Sequence, residues 1–382
     1  MEGRNIYFNN KVALIEPSGG YSGMQYYNFG MATGLINNGV IPFLFTSNSK
    51  KLNIGANVNT FYFFDNVWSS KYNLLKFFYL LTGFFKSIYI SKKNACKIVH
   101  LHQFHLNFNL LVNVFICKLF FRRLVLTVHD VESFGGNNRF HKVYTYLMPR
   151  LVDEFIVHNK YSLSQFKLSI NTNAVIIKHG NYIPFFNKLL FRPFSEKFRL
   201  LFFGLIKDSK GLDVLLESLV YLKDLGLNFE LIIAGRPWRN DFERYKSFID
   251  ANDLNNYIKT HLYFISEEEL LNHYSNCDLV VLPYKKIFQS GVLLKSMSLN
   301  RAVLCSNLPG FEELVLDGFN GFIFESENSN SMALKLAQII RDRNRLPDIA
   351  TNAYELLAKE YDWDIIGFEL IELYNNIYDK NS

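Results

Sequence analysis

Leu200-Leu-Phe-Phe203-Gly204-Leu-Ile-Lys207-Asp-Ser-Lys210-Gly211-Leu-Asp213 is the stretch on which the reading of this chain turns. Four apolar residues end at a glycine. A short loop carries Lys210-Gly211. A helix then follows whose Leu212, Leu215, Leu219, Leu222 and Leu225 share one face. Strand, glycine turn and amphipathic helix make the repeating element of a parallel sheet covered on both sides. Working forward, the spacing predicts strands at Glu230–Ala234, Leu262–Ile265, Leu279–Leu282 and Val303-Leu304. A last helix from Asp364 to Tyr378 places Ile366, Leu370, Leu373, Tyr374 and Ile377 on one stripe. Working back, Tyr182 to Arg199 has two prolines, many aromatics and no period, and reads as a linker. Before it, strands are expected at Lys11–Ile15, Val40–Thr46, Ile98–Leu101, Leu124–Val128, Glu154–Val157 and Val175–Ile177. The expectation is α/β: two doubly wound Rossmann-like domains in tandem, facing a central cleft. Their bounds are expected at 1–185 and 198–360, with a terminal helix over 361–382.

Composition narrows the function classes. The chain has 382 residues, 49% of them hydrophobic and 20% charged, with 41 basic against 35 acidic side chains. That excludes a disordered chain and a small disulfide scaffold. The four cysteines lie far apart, without zinc or CxxC spacing, and read as buried thiols. No signal peptide is read at the start, and a cytoplasmic protein is expected. The longest apolar run, Phe77 to Phe85, is bracketed by Lys76 and Lys86 and falls short of a membrane span. The charge excess is too small to imply nucleic acid, and no motif for it is present.

Ligands of open α/β sheets bind at the C-terminal ends of strands, so the loops there carry the candidates. Ser18-Gly19-Gly20-Tyr21-Ser22-Gly23 follows the first strand and is expected to open the first helix; it is a place for phosphate or sugar on backbone amides, or a tight strand–helix turn. His129-Asp130 ends a strand; it can contact a sugar hydroxyl or phosphate, or cap the next segment. His100 and His102 lie on one strand face without companion carboxylates or cysteines, so no metal site is expected. Lys210 can hold an ammonium over a phosphate at a helix end, or be a solvated loop lysine. Gln289-Ser290-Gly291-Val292 opens a helix with donors for an anion, or is an ordinary cap.

Taken in order, these segments resemble the nucleotide-sugar glycosyltransferases of retaining family 4, glycosyl transferases group 1, which have the GT-B fold. The order is the glycine-rich first turn, Thr127-Val-His-Asp130, Lys178-His-Gly180, Phe203-Gly204 with Lys210-Gly211, and Ala234-Gly235. Asp278-Leu-Val-Val-Leu-Pro-Tyr284, Ser290-Gly-Val-Leu-Leu294, Glu313 in a GxxExV pattern, Asp317 to Gly321, and Tyr361-Asp-Trp363 continue it. The resemblance covers nearly the whole chain. It implies a nucleoside-diphosphate-sugar donor held mainly by the second domain and a glycan or lipid-linked acceptor mainly by the first. The donor is a substrate; no cofactor and no metal is implied. By the same resemblance His129 and Lys210 are the catalytic residues. Gly19, Gly20, Gly204, Lys207, Gly235, Ser290, Gly291, Val292, Lys295 and Glu313 are donor-binding. Bacterial surface polysaccharide assembly is the implied setting.

The chain departs from the family in two places. The arginine that often follows the first motif's glycine is Leu205, with Lys207 nearby to substitute. The family's two glutamates fall on Ile287 and Lys295. Two rival readings follow: a GT-B-fold nucleotide-sugar epimerase, or an inactive nucleotide-sugar-binding partner of another transferase. Lys71 to Lys93, mixing Leu74, Leu75, Phe77, Phe78, Phe84 and Phe85 with lysines, reads either as an element for an anionic membrane surface or as a helix packed on its sheet.

Overall fold

The computed structural model describes residues 6, 8–21, 23–47, 58–103, 108–121, 123–131, 141–240 and 242–379. Ser22 of the glycine-rich turn and Met1 to Asn5 lie outside them. The chain divides into two compact units. One holds Met1–Gly180 with Tyr361–Ser382, the other Asn181–Glu360.

The N-terminal unit runs β1 (Lys11–Ile15), α1 (Gln25–Asn37), β2 (Ile41–Thr46), β3 (Asn59–Tyr62), α2 (Asp65–Ser69), α3 (Asn73–Lys93), β4 (Ile98–Gln103), α4 (Phe108–Phe120), β5 (Arg123–Val128), α5 (His141–Leu151), β6 (Glu154–Val157), α6 (Lys160–Ile170) and β7 (Val175–Ile176). Its sheet has the order β3-β2-β1-β4-β5-β6-β7, and every pairing is parallel. The near-continuous apolar strands follow from burial on both faces; β5 is buried along its whole length.

The C-terminal unit runs β8 (Phe198–Phe203), α7 (Leu212–Asp224), β9 (Phe229–Ala234), α8 (Glu243–Ala251), β10 (Ile258–His261), α9 (Glu267–Asn276), β11 (Leu279–Leu282), α10 (Gly291–Ser298), β12 (Val303–Ser306), α11 (Pro309–Glu312), β13 (Phe322–Phe324), α12 (Ser329–Arg341) and α13 (Leu346–Glu360). Its sheet has the parallel order β10-β9-β8-β11-β12-β13. Both sheets therefore wind outward in two directions from a central pair, β1/β4 and β8/β11. Each unit is Rossmann-like, as the strand–helix alternation predicts.

The last helix, α14 (Trp363–Asp379), belongs to the N-terminal unit and packs on α1. Glycines let the two backbones touch. A Cβ at Gly34 would lie 1.9 Å from the Trp363 carbonyl oxygen, and one at Gly367 would lie 2.3 Å from the Gly34 backbone. Gly30 and Gly180 make room for the Trp363 indole in the same way. The predicted stripe Ile366, Leu370, Leu373, Tyr374 and Ile377 is buried.

Four expectations are corrected. Leu262–Ile265 is not a strand; β10 lies just before it. Its half-exposed Ile-Lys-Thr-His pattern carries no apolar run, whereas Tyr263 and Phe264 are exposed. The presumed linker packs on the C-terminal unit: Tyr182 is buried and its N–H donates to Ser298 Oγ at 2.9 Å, and Phe198 and Arg199 already belong to β8. The glycine-rich turn does not open α1 directly, because that helix starts at Gln25. The run Phe77–Phe85 is part of the longer α3, which by length and composition could cross a membrane. Its Gly83, Phe84, Ser87, Ile88 and Ser91 are nevertheless buried within the unit.

Candidate functional site

In the C-terminal unit the predicted residues gather where β8 and β11 part. β8 is followed by Gly204, with φ +120°, and β9 by Gly235, with φ +147°. A Cβ on Gly235 would lie 1.9 Å from the Gly204 carbonyl oxygen, so only glycine fits. A Cβ on Gly204 would touch Val292 Cγ2 at 3.6 Å, which sets the end of β8 against the first turn of α10. Gly211, at φ +66°, begins α7 and would clash with the Pro283 carbonyl oxygen at 1.8 Å. That close approach brings the loop after β8 onto the loop after β11.

Lys210 crosses the same gap. Its Nζ stands 3.6 Å from the centre of the Tyr284 ring, and burial lowers its pKa to about 7. A partly desolvated ammonium over an aromatic face is held for want of water rather than by a carboxylate. Any anion reaching it would restore the charge. Ser290 caps α10: its Oγ accepts from the Leu293 N–H. The amides of Gly291 and Val292, first in the helix, have no intrahelical acceptor by construction. A cation and a helix N-terminus thus converge on one corner, a pattern suited to a phosphate. Lys207 is exposed and close enough to act electrostatically on Tyr284.

Two candidates sit differently. Lys295 Nζ lies over the rings of Tyr182 (5.1 Å) and Phe186 (5.6 Å), and burial lowers its pKa to about 8. It shares the Tyr182 side of α10 with Gly291, whose added Cβ would meet Tyr182 Oη at 3.0 Å. Glu313 is exposed at the end of α11. The Ile287 and Phe288 carbonyls pack on Gly310.

In the N-terminal unit the glycine-rich turn looks inward. The amides of Ser18 and Gly19 donate to the Glu16 carboxylate at 2.8 and 2.6 Å, and Asn28 Nδ2 donates to it at 2.9 Å. The chain's own carboxylate takes the amides expected to receive a ligand. Burial raises the Glu16 pKa against those three bonds. Gly19, at φ +48°, is forced by the Ser47 carbonyl oxygen, 2.2 Å from where a Cβ would be. Gly20 follows in the same turn and is half-buried. Sequence reasoning missed Glu16; a lone acid closing an apolar strand was the available signal.

His129, at the end of β5, is the half-exposed edge of a buried histidine group comprising His100, His102, His158 and His179. Tyr27 lies at its centre, with ring centroids 4.9 Å from His129 and 4.8 Å from His179. His100 and His102 share a strand face, as predicted, and their rings stack at 4.5 Å. Both His100 nitrogens are engaged, by Tyr374 Oη and Thr127 Oγ1 at 2.7 Å each. Among the described residues no group of three His, Cys, Asp or Glu is arranged to hold a metal ion. The four cysteines are free and buried.

Residues 190–356 match the family profile described as Glycosyl transferases group 1. The chain is 32% identical over 197 residues to a GDP-mannose:glycolipid 4-beta-D-mannosyltransferase of Xanthomonas campestris pv. campestris, covering 50% of this chain and 52% of that one. It is 29% identical over 191 residues to a lipopolysaccharide 1,2-N-acetylglucosaminetransferase of Salmonella typhimurium, covering 47% and 49%. The match therefore spans about half the length of these relatives. A glycosyltransferase structure from Rickettsia africae superposes with a TM-score of 0.74 at 18% identity, covering 97% of this chain and 98% of that one. The fold is that of the GT-B glycosyltransferases, two Rossmann-like domains, and residues 190–356 are similar to the glycosyl transferases group 1 domain.

Proposed function

We propose that the protein is a glycosyltransferase that moves a hexosyl group from a nucleoside-diphosphate sugar to a hydroxyl of a glycan or lipid-linked acceptor, in bacterial surface polysaccharide assembly such as capsule, exopolysaccharide or lipopolysaccharide. The observation that carries this reading is the corner formed by Lys210 and the Gly291 and Val292 amides where β8 and β11 part. Catalysis there is leaving-group stabilisation. The C1–O bond to the diphosphate breaks, and its electron pair goes to the phosphate oxygen under Lys210 and the helix end. The acceptor oxygen bonds to C1 and its proton passes to the departing phosphate, on the same face, with retention. No metal or cofactor is part of this scheme. The Xanthomonas glycolipid mannosyltransferase and the Salmonella lipopolysaccharide N-acetylglucosaminetransferase support the acceptor class.

We place the work at the inner face of an anionic membrane, with the protein peripheral. Between Asp65 and Asp130 the chain has nine Lys and Arg and no Asp or Glu. On α3, Leu75, Phe78, Phe85 and Tyr89 are exposed at helical spacing, with Lys86 and Lys93 exposed among them. The neighbouring α4 exposes Phe115, Leu119 and Phe120. An apolar stripe among cations suits an interfacial helix; each cation near the surface contributes about 1 kcal/mol.

The test is turnover by the purified full chain with a panel of nucleotide sugars and lipid-linked acceptors. Release of nucleoside diphosphate with an α-glycoside from an α-linked donor is expected, and a β-product would refute retention. Donor binding without turnover favours the second reading, an inactive partner, which rests on Ile287 and Lys295 in place of two acids. A free epimerised sugar would point to the epimerase. Sedimentation with anionic vesicles, reversed by salt, tests the membrane; equal recovery in the supernatant with and without vesicles refutes it.

A further inference from the structure

Lys210 stands in the chain between two acids, Asp208 and Asp213, and both of them pair with other cations. The cause lies in the loop after β11. The Lys285 N–H donates to the Ser209 carbonyl oxygen at 3.0 Å, which fixes that loop against the turn Asp208–Lys210. Lys285 Nζ then reaches Asp213 Oδ2 at 2.6 Å and lies 3.8 Å from Asp208 Oδ1. Arg244 of α8 donates to the same Asp208 oxygen at 3.0 Å. The residue before Lys285 is Tyr284, whose ring faces Lys210. Two adjacent residues therefore act on one lysine: Tyr284 covers it, and Lys285 occupies its acids.

The two acids differ in weight. Asp208 and Arg244 are exposed, and water screens their pair. Asp213 and Lys285 are more enclosed. Asp213 Oδ1 is buried without a hydrogen-bond partner. A carboxylate oxygen left unfilled in a buried place takes a donor that comes within reach, and Lys210 is three positions away across Gly211. The charged groups around this corner are Lys207 and Asp208 after β8, Asp213 on α7, Arg244 on α8, Lys285 after β11, and Glu327, which acts on Lys285. None of them shifts Lys210, whose pKa burial alone lowers. Lys285 behaves in the opposite way. Burial disfavours its charge, but the hydrogen bond and charge of Asp213 more than offset that, and its pKa rises.

We propose that Lys285 is a positioning residue that holds Asp213 off Lys210, so that the donor's diphosphate is the first anion Lys210 meets. The diphosphate half rests on the proposed transferase reading. With Asp213 on Lys210, an incoming diphosphate has to displace a carboxylate and loses what that pair contributed. With Asp213 on Lys285, it meets a desolvated lysine whose charge it restores. Replacing Lys285 by an apolar residue leaves Asp213 without its cation and turns it to Lys210.

The experiment is trace acetylation of the full chain with acetic anhydride at stepped pH, read at Lys210 by peptide mass spectrometry; it titrates that one lysine without any donor. Lys285→Met is expected to move the Lys210 titration up by about 1–2 pH units, the effect of a carboxylate brought within about 4–6 Å. Adding Asp213→Asn is expected to return it to the wild-type position. Calorimetry with UDP and GDP supplies the second arm. Lys285→Met should bind whichever the wild type binds about tenfold more weakly at pH 7, and the double variant should recover. An unchanged Lys210 titration in Lys285→Met overturns the proposal. So does a rise that Asp213→Asn does not reverse, because that rise is lost repulsion by Lys285 itself. Should Lys285→Met not fold, Lys285→Gln decides: its amide still bonds Asp213 without neutralising it, so a smaller rise is expected, and no rise overturns the proposal. If the titrations behave as expected but the wild type binds neither diphosphate and transfers no sugar, the transferase reading fails and the hold of Lys285 on Asp213 stands.

Discussion

At the parting of β1 and β4 the N-terminal unit places a buried acid with a glycine turn folded onto it, and β4 together with the ends of β5, β6 and β7 carries neutral histidines around Tyr27. At the equivalent parting of β8 and β11 the C-terminal unit places a desolvated lysine over Tyr284 beside a helix N-terminus. The strand orders correspond, winding outward from the central pair, yet the first parting satisfies its own charge and the second does not. A glycine turn beside a strand end is therefore not an anion site by itself. What decides is whether its amides are already taken by a side chain from the same unit, as Glu16 takes those of Ser18 and Gly19.

The strongest way to break this contrast is Lys210→Met. Turnover is expected to fall by about 10²–10³, the effect of removing one transition-state charge contact. The unfolding temperature without ligand should hold or rise, because burial already disfavours the lysine's charge. Near-normal turnover in the folded variant would remove Lys210 from the site.

Stability distinguishes the two kinds of turn. Gly211→Ala is expected to destabilise by about 3 kcal/mol or more, since it adds left-handed strain to a backbone clash with Pro283. Gly23→Ala has positive φ but nothing within 4 Å of the new Cβ, and should lose only about 1 kcal/mol. Equal losses in urea titration would show that the contact with Pro283 does not hold the loop after β8.

Glu16→Gln leaves an amide N–H facing a backbone N–H and should destabilise the N-terminal unit by about 1–3 kcal/mol. Donor affinity should change little. A large loss of affinity with stability unchanged would make the first turn a donor site after all.

The smallest effect is on pH. Anion binding needs charged Lys210, whose free pKa is lowered to about 7. Affinity for a nucleoside diphosphate should therefore fall as pH rises above about 7, by at most about tenfold per unit, and more weakly in Lys210→Met. Calorimetry at stepped pH checks this; parallel profiles in the two proteins would assign the titration elsewhere.

Much of the architecture is legible in the residues. Apolar runs ending in glycine, followed by leucines at helical spacing, determine that strands alternate with helices and hence that both sheets are parallel. Lys210-Gly211 and Ser290-Gly291 carry their own local signals, a lysine before a left-handed glycine and a hydroxyl before a helix. The sequence failed where burial does not follow the apolar pattern, as at the polar edge strand β10.

What only the tertiary structure decided are meetings between distant residues. Glu16 is adjacent to its turn, but nothing local shows that its carboxylate folds inward onto that turn's amides. Lys210 meets Tyr284 because β8 neighbours β11, and His129 meets His158 because β5 and β6 pair in one register rather than another. Parallel strands lie only about 4.8 Å apart, so sheet order alone sets which strand ends share a site. That order is the outcome of packing the whole apolar surface at once, and no single stretch of sequence states it.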